Sequence, residues 1–200
     1  STYALGAILC CLAITDWGLP IPVGILVGLL LGAVCGAVNG FLIVKTGIPP
    51  MIVTLGMQYA LRGTVSVLTK GVPIYPLPDG FVDLEPHRIL GVPIIVVIAI
   101  LVVVVGHIAL SRTYFGRSVY ALGGNQEAAR ISGINIQRTK MLVYVIMGVL
   151  VAFAGIMMAS RMGSAEPSTG TGLEMKVICG AIIGGISISG GMGTMLGAAL

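Results

Sequence analysis

Charge is scarce in this sequence. Only 9% of its 200 residues are Asp, Glu, Lys or Arg, against roughly 25% in ordinary globular chains. A water-soluble particle of this size could not cover its surface with so few charges. Aromatic residues are also sparse at 6%, and there are only 2 histidines. The 4 cysteines (Cys10, Cys11, Cys35, Cys179) lie in apolar runs with no CxxC pair, which reads as inert packing rather than metal or redox use. No metal site is expected. Disorder, a secreted disulfide scaffold and nucleic-acid binding all fit poorly, although the pI is about 9.0.

What the chain has instead is apolar surface, 56% of its residues, with a mean hydropathy of +1.07. Its solvent is a lipid bilayer. Thirty glycines would be costly in soluble helices but are common where membrane helices pack closely. The expected fold is all-α: a polytopic helix bundle forming one transmembrane domain over residues 1–200. No basic stretch precedes the apolar run at 3–14, which is followed by Asp16 rather than a cleavage site, so no signal peptide is read. The chain reads as a segment of a longer multi-span protein, cut within a helix at each end.

Runs of about 20 apolar residues suffice to cross a bilayer. Four are expected, at 21–41 (extendable to 44), 48–69, 92–110 and 141–160. Residues 3–14 read as the tail of an earlier span. The sixth apolar stretch, 173–200, carries too many glycines for one continuous helix. Residues 111–140 hold Arg112, Arg117, Arg130, Arg138 and Lys140 against the single acid Glu127, a bias that assigns this loop to the cytoplasm. Lys45 then falls inside as well. Asp16, the 70–91 loop with Asp79, Asp83 and Glu85, and the 161–172 loop with Glu166 fall outside, with Glu174 at the outer rim. His107 and Asn39, near inner ends of spans, read as boundary residues.

Two spans carry a pattern. Gly24, Gly28, Gly32, Gly36 and Gly40 recur every four residues, about 400° of helix turn, so they form one slowly winding stripe. Each glycine costs roughly 1 kcal/mol relative to Ala, and close approach of another helix backbone would compensate. Tight packing explains the stripe; a seam that slides during a transport cycle is compatible with it. Pro49-Pro50 suit a helix start, and Thr54, Gln58 and Arg62 follow at spacings of four. That polar stripe should face protein or a watery cavity. It serves either as interhelical hydrogen bonding with Arg62 snorkelling outward, or as the lining of a translocation path.

The segment 111–140 is the richest. Gly123-Gly124-Asn125 reads as a turn and an N-cap, after which Gln126-Glu127 opens a short helix with Glu127 near its positive end. Gly133 is a natural stop, and Asn135 can cap the next helix. Two turns of helix are marginal alone in water. The segment is either a connector lying on the membrane surface or a helix stabilised by docking its Ala face into a partner.

Glu127-Ala128-Ala129 with Gly133 resembles the Glu-Ala-Ala-x-x-x-Gly core of the coupling loop in ATP-binding-cassette import permeases. The Ile-x-Leu-Pro of the maltose-type pattern is absent. Three longer blocks resemble the ribose/xylose/arabinose-type monosaccharide permease family: GFLIVKTGIPPMIVTLGMQYALRGTVSVLTKGVPI, GGNQEAARISGINIQRTKMLVYVIMGVLVAFAGIMMASRMGSAEP and GTGLEMKVICGAIIGGISISGGMGTMLGAAL. Together they cover well over half the chain. The resemblance implies a multi-pass inner-membrane subunit, usually paired with a second copy and driven by two cytoplasmic ATPase subunits. It also implies an extracytoplasmic binding protein that delivers the sugar. Glu127, Ala128, Ala129 and Gly133 would belong to the coupling helix, and Gly184, Gly185, Ser189, Gly190, Gly191 and Gly193 to the family's Gly-rich block. Irregular backbone at membrane depth is tolerated only inside protein or along a cavity, so that block is expected beside the path. Where the family often has an acid after Glu-Leu, Glu174 is here followed by Met175-Lys176; the resemblance therefore implies a sugar without naming it.

An enzyme would need convergent ionisable groups. The spans hold no paired carboxylates, HExxH or Ser/His/Asp set, and Gly123-Gly124-Asn125 lacks the Lys-Ser/Thr of a phosphate-binding loop. No catalytic residue and no cofactor are expected. An ion-coupled secondary transporter or a channel is the alternative, but it would normally bury carboxylates near the midplane. The energy is then expected from a separate ATPase, with alternating access as the mechanism and a neutral, hydrogen-bonding path for an uncharged sugar or polyol.

Overall fold

A computed structural model of the chain describes residues 1–82, 88–89, 92–187 and 190–199. Among these, regular structure is helical except for one antiparallel pair of two-residue strands and an isolated bridge between Ile74 and Ala165. The helices are α1 (Thr2–Thr15), α2 (Ile21–Thr46), α3 (Pro50–Thr69), α4 (Asp79–Val82), α5 (Ile94–Arg112), α6 (Tyr114–Gly124), α7 (Gln126–Ile131), α8 (Ile136–Met162), α9 (Leu173–Ile183) and α10 (Met195–Ala199). Four of them, α2, α3, α5 and α8, are long and apolar enough to cross a membrane. Asp83, Glu85 and Ser189 lie outside the described residues.

Prolines and glycines set the helix ends. Pro20 is the extended residue before α2, and α2 stops at Gly47 with φ +69°. Pro49 precedes α3 and Pro50 opens it, at a position whose missing N–H would have been unpaired anyway. The expected start of the third full span at residue 92 is corrected: β2 (Val92–Pro93) pairs antiparallel with β1 (Arg88–Ile89), and α5 begins only at Ile94. The apolar run starts earlier than the helix because Pro93 closes a hairpin there rather than opening a turn of helix.

The chain divides into two compact units. The first comprises residues 1–95 and 141–171. Its centre is α1, where Ile8, Cys10 and Cys11 are fully buried beside Val65, Ile156 and Phe81. Phe81 sits on α4, inside a Pro-rich loop, and its carbonyl accepts a 2.6 Å hydrogen bond from the buried Ser160 hydroxyl on α8. A lone aromatic in a loop carries no periodicity, so nothing in the sequence marks Phe81 as core.

The glycines of α2 face two helices in turn. A Cβ on Gly24 would meet the Ile14 side chain at 2.5 Å, and one on Gly28 would meet the carbonyl oxygen of Gly6 at 2.7 Å, both on α1. Further along, the neighbour is α8. A Cβ on Gly32 would lie 2.5 Å from the Gly148 carbonyl oxygen, one on Gly36 would overlap the Tyr144 carbonyl, and one on Gly40 would meet Met141 Sδ at 2.9 Å. The approach is reciprocal, since a Cβ on Gly148 would overlap the Gly32 carbonyl. At Gly32 and Gly36 backbone touches backbone with no side chain between, the geometry that small residues permit.

The second unit comprises residues 96–140 and 172–200. It contains most of α5, then α6, α7, the first turn of α8, α9 and α10. Leu173–Ile183 and Met195–Ala199 are two short helices, and the described residues between them, 184–187 and 190–194, are irregular and glycine-rich. At the start of that stretch, a Cβ on Gly184 would overlap the Gly197 carbonyl of α10.

Candidate functional site

α7 is built by its two ends. Asn125 is extended, with φ −152° and ψ 110°, and its side-chain oxygen accepts from the amides of Glu127 and Ala128, both at 3.0 Å. Those amides have no partner within the helix, so the cap supplies one. At the other end Gly133 has φ +79°. The Ile134 amide donates to the Ala129 carbonyl and the Gly133 amide to the Arg130 carbonyl. This paired 6→1 and 5→2 arrangement is the Schellman stop, and the left-handed residue it requires is best supplied by glycine. Asn135 then opens α8 by accepting from the Arg138 amide at 3.0 Å.

The faces of α7 differ. Ala129 is buried against its own chain, whereas Ala128 is exposed and Ile131 is 82% exposed. Adjacent residues on a helix point about 100° apart, so Ala128 and Ala129 do not share a face. The outward surface comprises Glu127, Ala128, Arg130 and Ile131. Glu127 and Arg130 approach to 3.9 Å while both remain mostly exposed, a pairing that contributes little. Lys140 Nζ donates to Gln126 Oε1 at 3.1 Å, tying α7 to the start of α8. Sequence reasoning passed over Ile131. An apolar residue two places before a helix-ending glycine, in so polar a segment, was the available signal.

The turn expected at Gly123-Gly124 is not formed. Both glycines belong to the last turn of α6, a helix the sequence reading did not place. Thr113 caps it, its hydroxyl accepting from the Gly116 amide at 3.2 Å, and Asn125 ends it by donating its amide to the Ala121 carbonyl at 3.1 Å. Gly-Gly usually marks a turn. Here the missing side chains serve a contact instead, because a Cβ on Gly123 would lie 2.5 Å from the Gly191 amide nitrogen.

Around that contact the second unit has a cleft of about 220 Å³, lined among others by Leu110, Tyr120, Ser187, Met192 and Thr194. The Tyr120 hydroxyl donates to the Gly193 carbonyl at 2.9 Å. Gly190 and Gly191 are thus brought against α6, and Gly184 against α10. Thr54, Gln58 and Arg62 belong to the first unit and are half-buried along α3. Thr54 bonds to carbonyls of its own helix, at Pro50 and Met51. Arg62 Nη1 donates to the Pro167 carbonyl at 2.6 Å. Cys10, Cys11 and Cys35 are buried, but Cys179 on α9 is exposed, which corrects the reading of all four as packing residues. Among the described residues no three His, Cys, Asp or Glu groups are placed to hold a metal ion.

Comparison with known proteins decides the family. All of residues 1–200 match the family described as "Branched-chain amino acid transport system / permease component". The chain belongs to that family. It is therefore part of a multi-span permease of the bacterial inner membrane. It is 42% identical over its whole length to the autoinducer 2 import system permease protein of Enterobacter sp. (strain 638), covering 58% of that relative. It is 40% identical to the ribose import permease protein of Bacillus subtilis (strain 168), over 80% of this chain and 50% of the relative. The L-arabinose transport system permease protein of Escherichia coli (strain K12) is 38% identical over 78% of this chain and 47% of the relative. The chain thus spans about half the length of these curated relatives. No solved structure gives a significant match.

Proposed function

We propose that the chain is the membrane-spanning part of a permease subunit of an ATP-binding-cassette importer, and that it carries a monosaccharide or similarly small neutral polyol. Ribose, L-arabinose and autoinducer 2, named for its relatives, are the first substrates to try. Separate ATPase subunits supply the energy, an extracytoplasmic binding protein delivers the solute, and a second permease copy completes the pore. On this reading 1–200 is one transmembrane domain and 111–140 its cytoplasmic coupling segment. Glu127, Ala128, Ala129 and Gly133 form or fix the helix that seats in the ATPase. Thr54, Gln58 and Arg62, with the Gly-rich segment from Gly184 to Gly191 including Ser189, line the path.

One observation carries this reading: α7 is a six-residue helix closed at both ends, presenting exposed Ala128 and Ile131 between charged neighbours. An isolated helix so short would not persist in water. An apolar tip with a polar rim is the usual make-up of a surface that meets another protein. Closure of the ATPases would draw two such knobs together and open the path to alternate sides. An ion-coupled carrier fits less well, because α2, α3, α5 and α8 contain no Asp or Glu, the groups such carriers normally bury near the midplane.

The test is Gly133→Leu in the full-length permease, assembled with its ATPase in vesicles. A Cβ there has open space around it, so crowding is not the problem; the positive φ is, at about 1–3 kcal/mol of strain. Membrane insertion should be normal and ATP hydrolysis should continue, while uptake of labelled ribose or arabinose falls at least about tenfold, as 1.4 kcal/mol implies. Normal uptake in this variant would reject the coupling role of α7.

A further inference from the structure

We propose that Tyr120 and Gly123 are positioning residues that fasten the α7 knob to the glycine-rich segment at 190–193, so that both move as one piece. The inference rests on the importer reading above and extends it to a specific linkage. Three observations lead to it.

First, α6 and α7 share one residue. The Asn125 amide closes α6 and its side chain opens α7. No flexible spacer separates the helices, so a displacement of α7 is delivered to α6.

Second, one face of α6 grips the glycine-rich segment twice. Tyr120 and Gly123 are three residues apart, hence neighbours on the helix surface. The Tyr120 hydroxyl holds the Gly193 carbonyl, 73 residues away in sequence. One turn further, backbone meets backbone from both sides. A Cβ on Gly123 would lie 3.0 Å from Gly191 Cα, and a Cβ on Gly191 would lie 2.7 Å from Gly124 Cα.

Third, the segment has internal ties of its own. The Ser187 amide donates to the Met192 carbonyl and the Gly190 amide to the Ser187 carbonyl, both at 3.1 Å. These two bonds tie Gly190 and Met192 to Ser187, so a pull at Gly193 is passed on to Ser187. A cleft of about 220 Å³ lies beside the segment, and the two contacts to α6 help to hold its position.

Tyr120→Phe removes one hydrogen bond and little else, and Gly123→Val forces the backbones apart. Both are made in the full-length permease with its ATPase. The first readout is hydrogen exchange at the Gly190 amide, which does not depend on any substrate. Exchange should accelerate about fivefold in Tyr120→Phe, the factor one neutral hydrogen bond sets, and more in Gly123→Val, with the α2 amides unchanged. The second readout is solute taken up per ATP hydrolysed, which should fall in both variants while ATP hydrolysis persists. Val119→Cys with Thr194→Cys, bridged by a short bismaleimide, should keep its uptake, since the bridge joins parts that already travel together. Unchanged exchange in both variants overturns the linkage whatever the substrate. Loss of uptake on bridging overturns it too, by showing that the two parts must separate. Absence of ATP-driven uptake in the unmodified complex, with exchange responding as expected, would count against the importer reading alone.

Discussion

α2 and α3 are consecutive, both long enough to cross a membrane and both supplied with small residues, yet their glycines have opposite surroundings. Each of Gly24, Gly28, Gly32, Gly36 and Gly40 has an atom where a side chain would go. Gly56 and Gly63 on α3 have none within 4 Å. Spacing does not explain the contrast, because residues seven apart also return to one face of a helix. The partner explains it. α1 and α8 present small residues of their own to α2, at Gly6, Gly148 and Ala152, so two backbones can meet. α3 instead carries Tyr59 and Val67, 75% and 78% exposed, and touches α1 through Val65 lower down. A small residue marks where an approach is possible; a matching small residue opposite makes it happen.

Substitution can break or sharpen this comparison. Gly32→Leu should have the largest effect. Its side chain would enter the Gly148 carbonyl and Ala152, and backbone cannot step aside as a flexible side chain would. A loss above about 3 kcal/mol is expected, the upper part of the overpacking range, read as disappearance of the detergent-stable protein. An intact, normally melting protein would show that α2 is not packed as described. Arg62→Met comes next. It keeps the length of the stem but removes the bond to the Pro167 carbonyl, a charge-assisted contact of about 1.5–3 kcal/mol. Faster proteolysis between residues 163 and 172 is expected, and unchanged cleavage would show that α3 is anchored otherwise. Gly56→Ala should be smallest and opposite in sign, raising thermal stability by up to about 1 kcal/mol through helix propensity alone. Destabilisation would mean that α3 has a close neighbour after all.

The four long spans were legible because a bilayer selects on length and composition, which a sequence displays directly. The capping of α7 was equally legible, because Asn125 and Gly133 act on their immediate neighbours. α6 was not. The two glycines in its last turn go with a long-range contact, to Gly191 some seventy residues away, whereas a local reading of Gly-Gly yields a turn. Thr113 three residues before Gly116 was a usable start signal that the run of basic residues obscured. Phe81 and Ile131 left no periodic signal, for related reasons, although the place of Ile131 before Gly133 was a local one. One is apolar and buried within a loop, the other apolar and exposed on a helix, and single residues carry no period. The polar stripe of α3 was visible as a spacing, but that Arg62 ends on a loop carbonyl was not.

The meeting of α2 and α8 has a mechanical consequence. Where side chains separate two helices, rotamer changes let one creep past the other in small steps. At Gly32, Gly36 and Gly148 there is no such lubricant; the carbonyl of each rod sits in a notch of the other, like teeth in a rack. Axial slip would require every tooth to ride over a shoulder at once, so this pair should tilt as a single plate, leaving bending to segments where the teeth are missing.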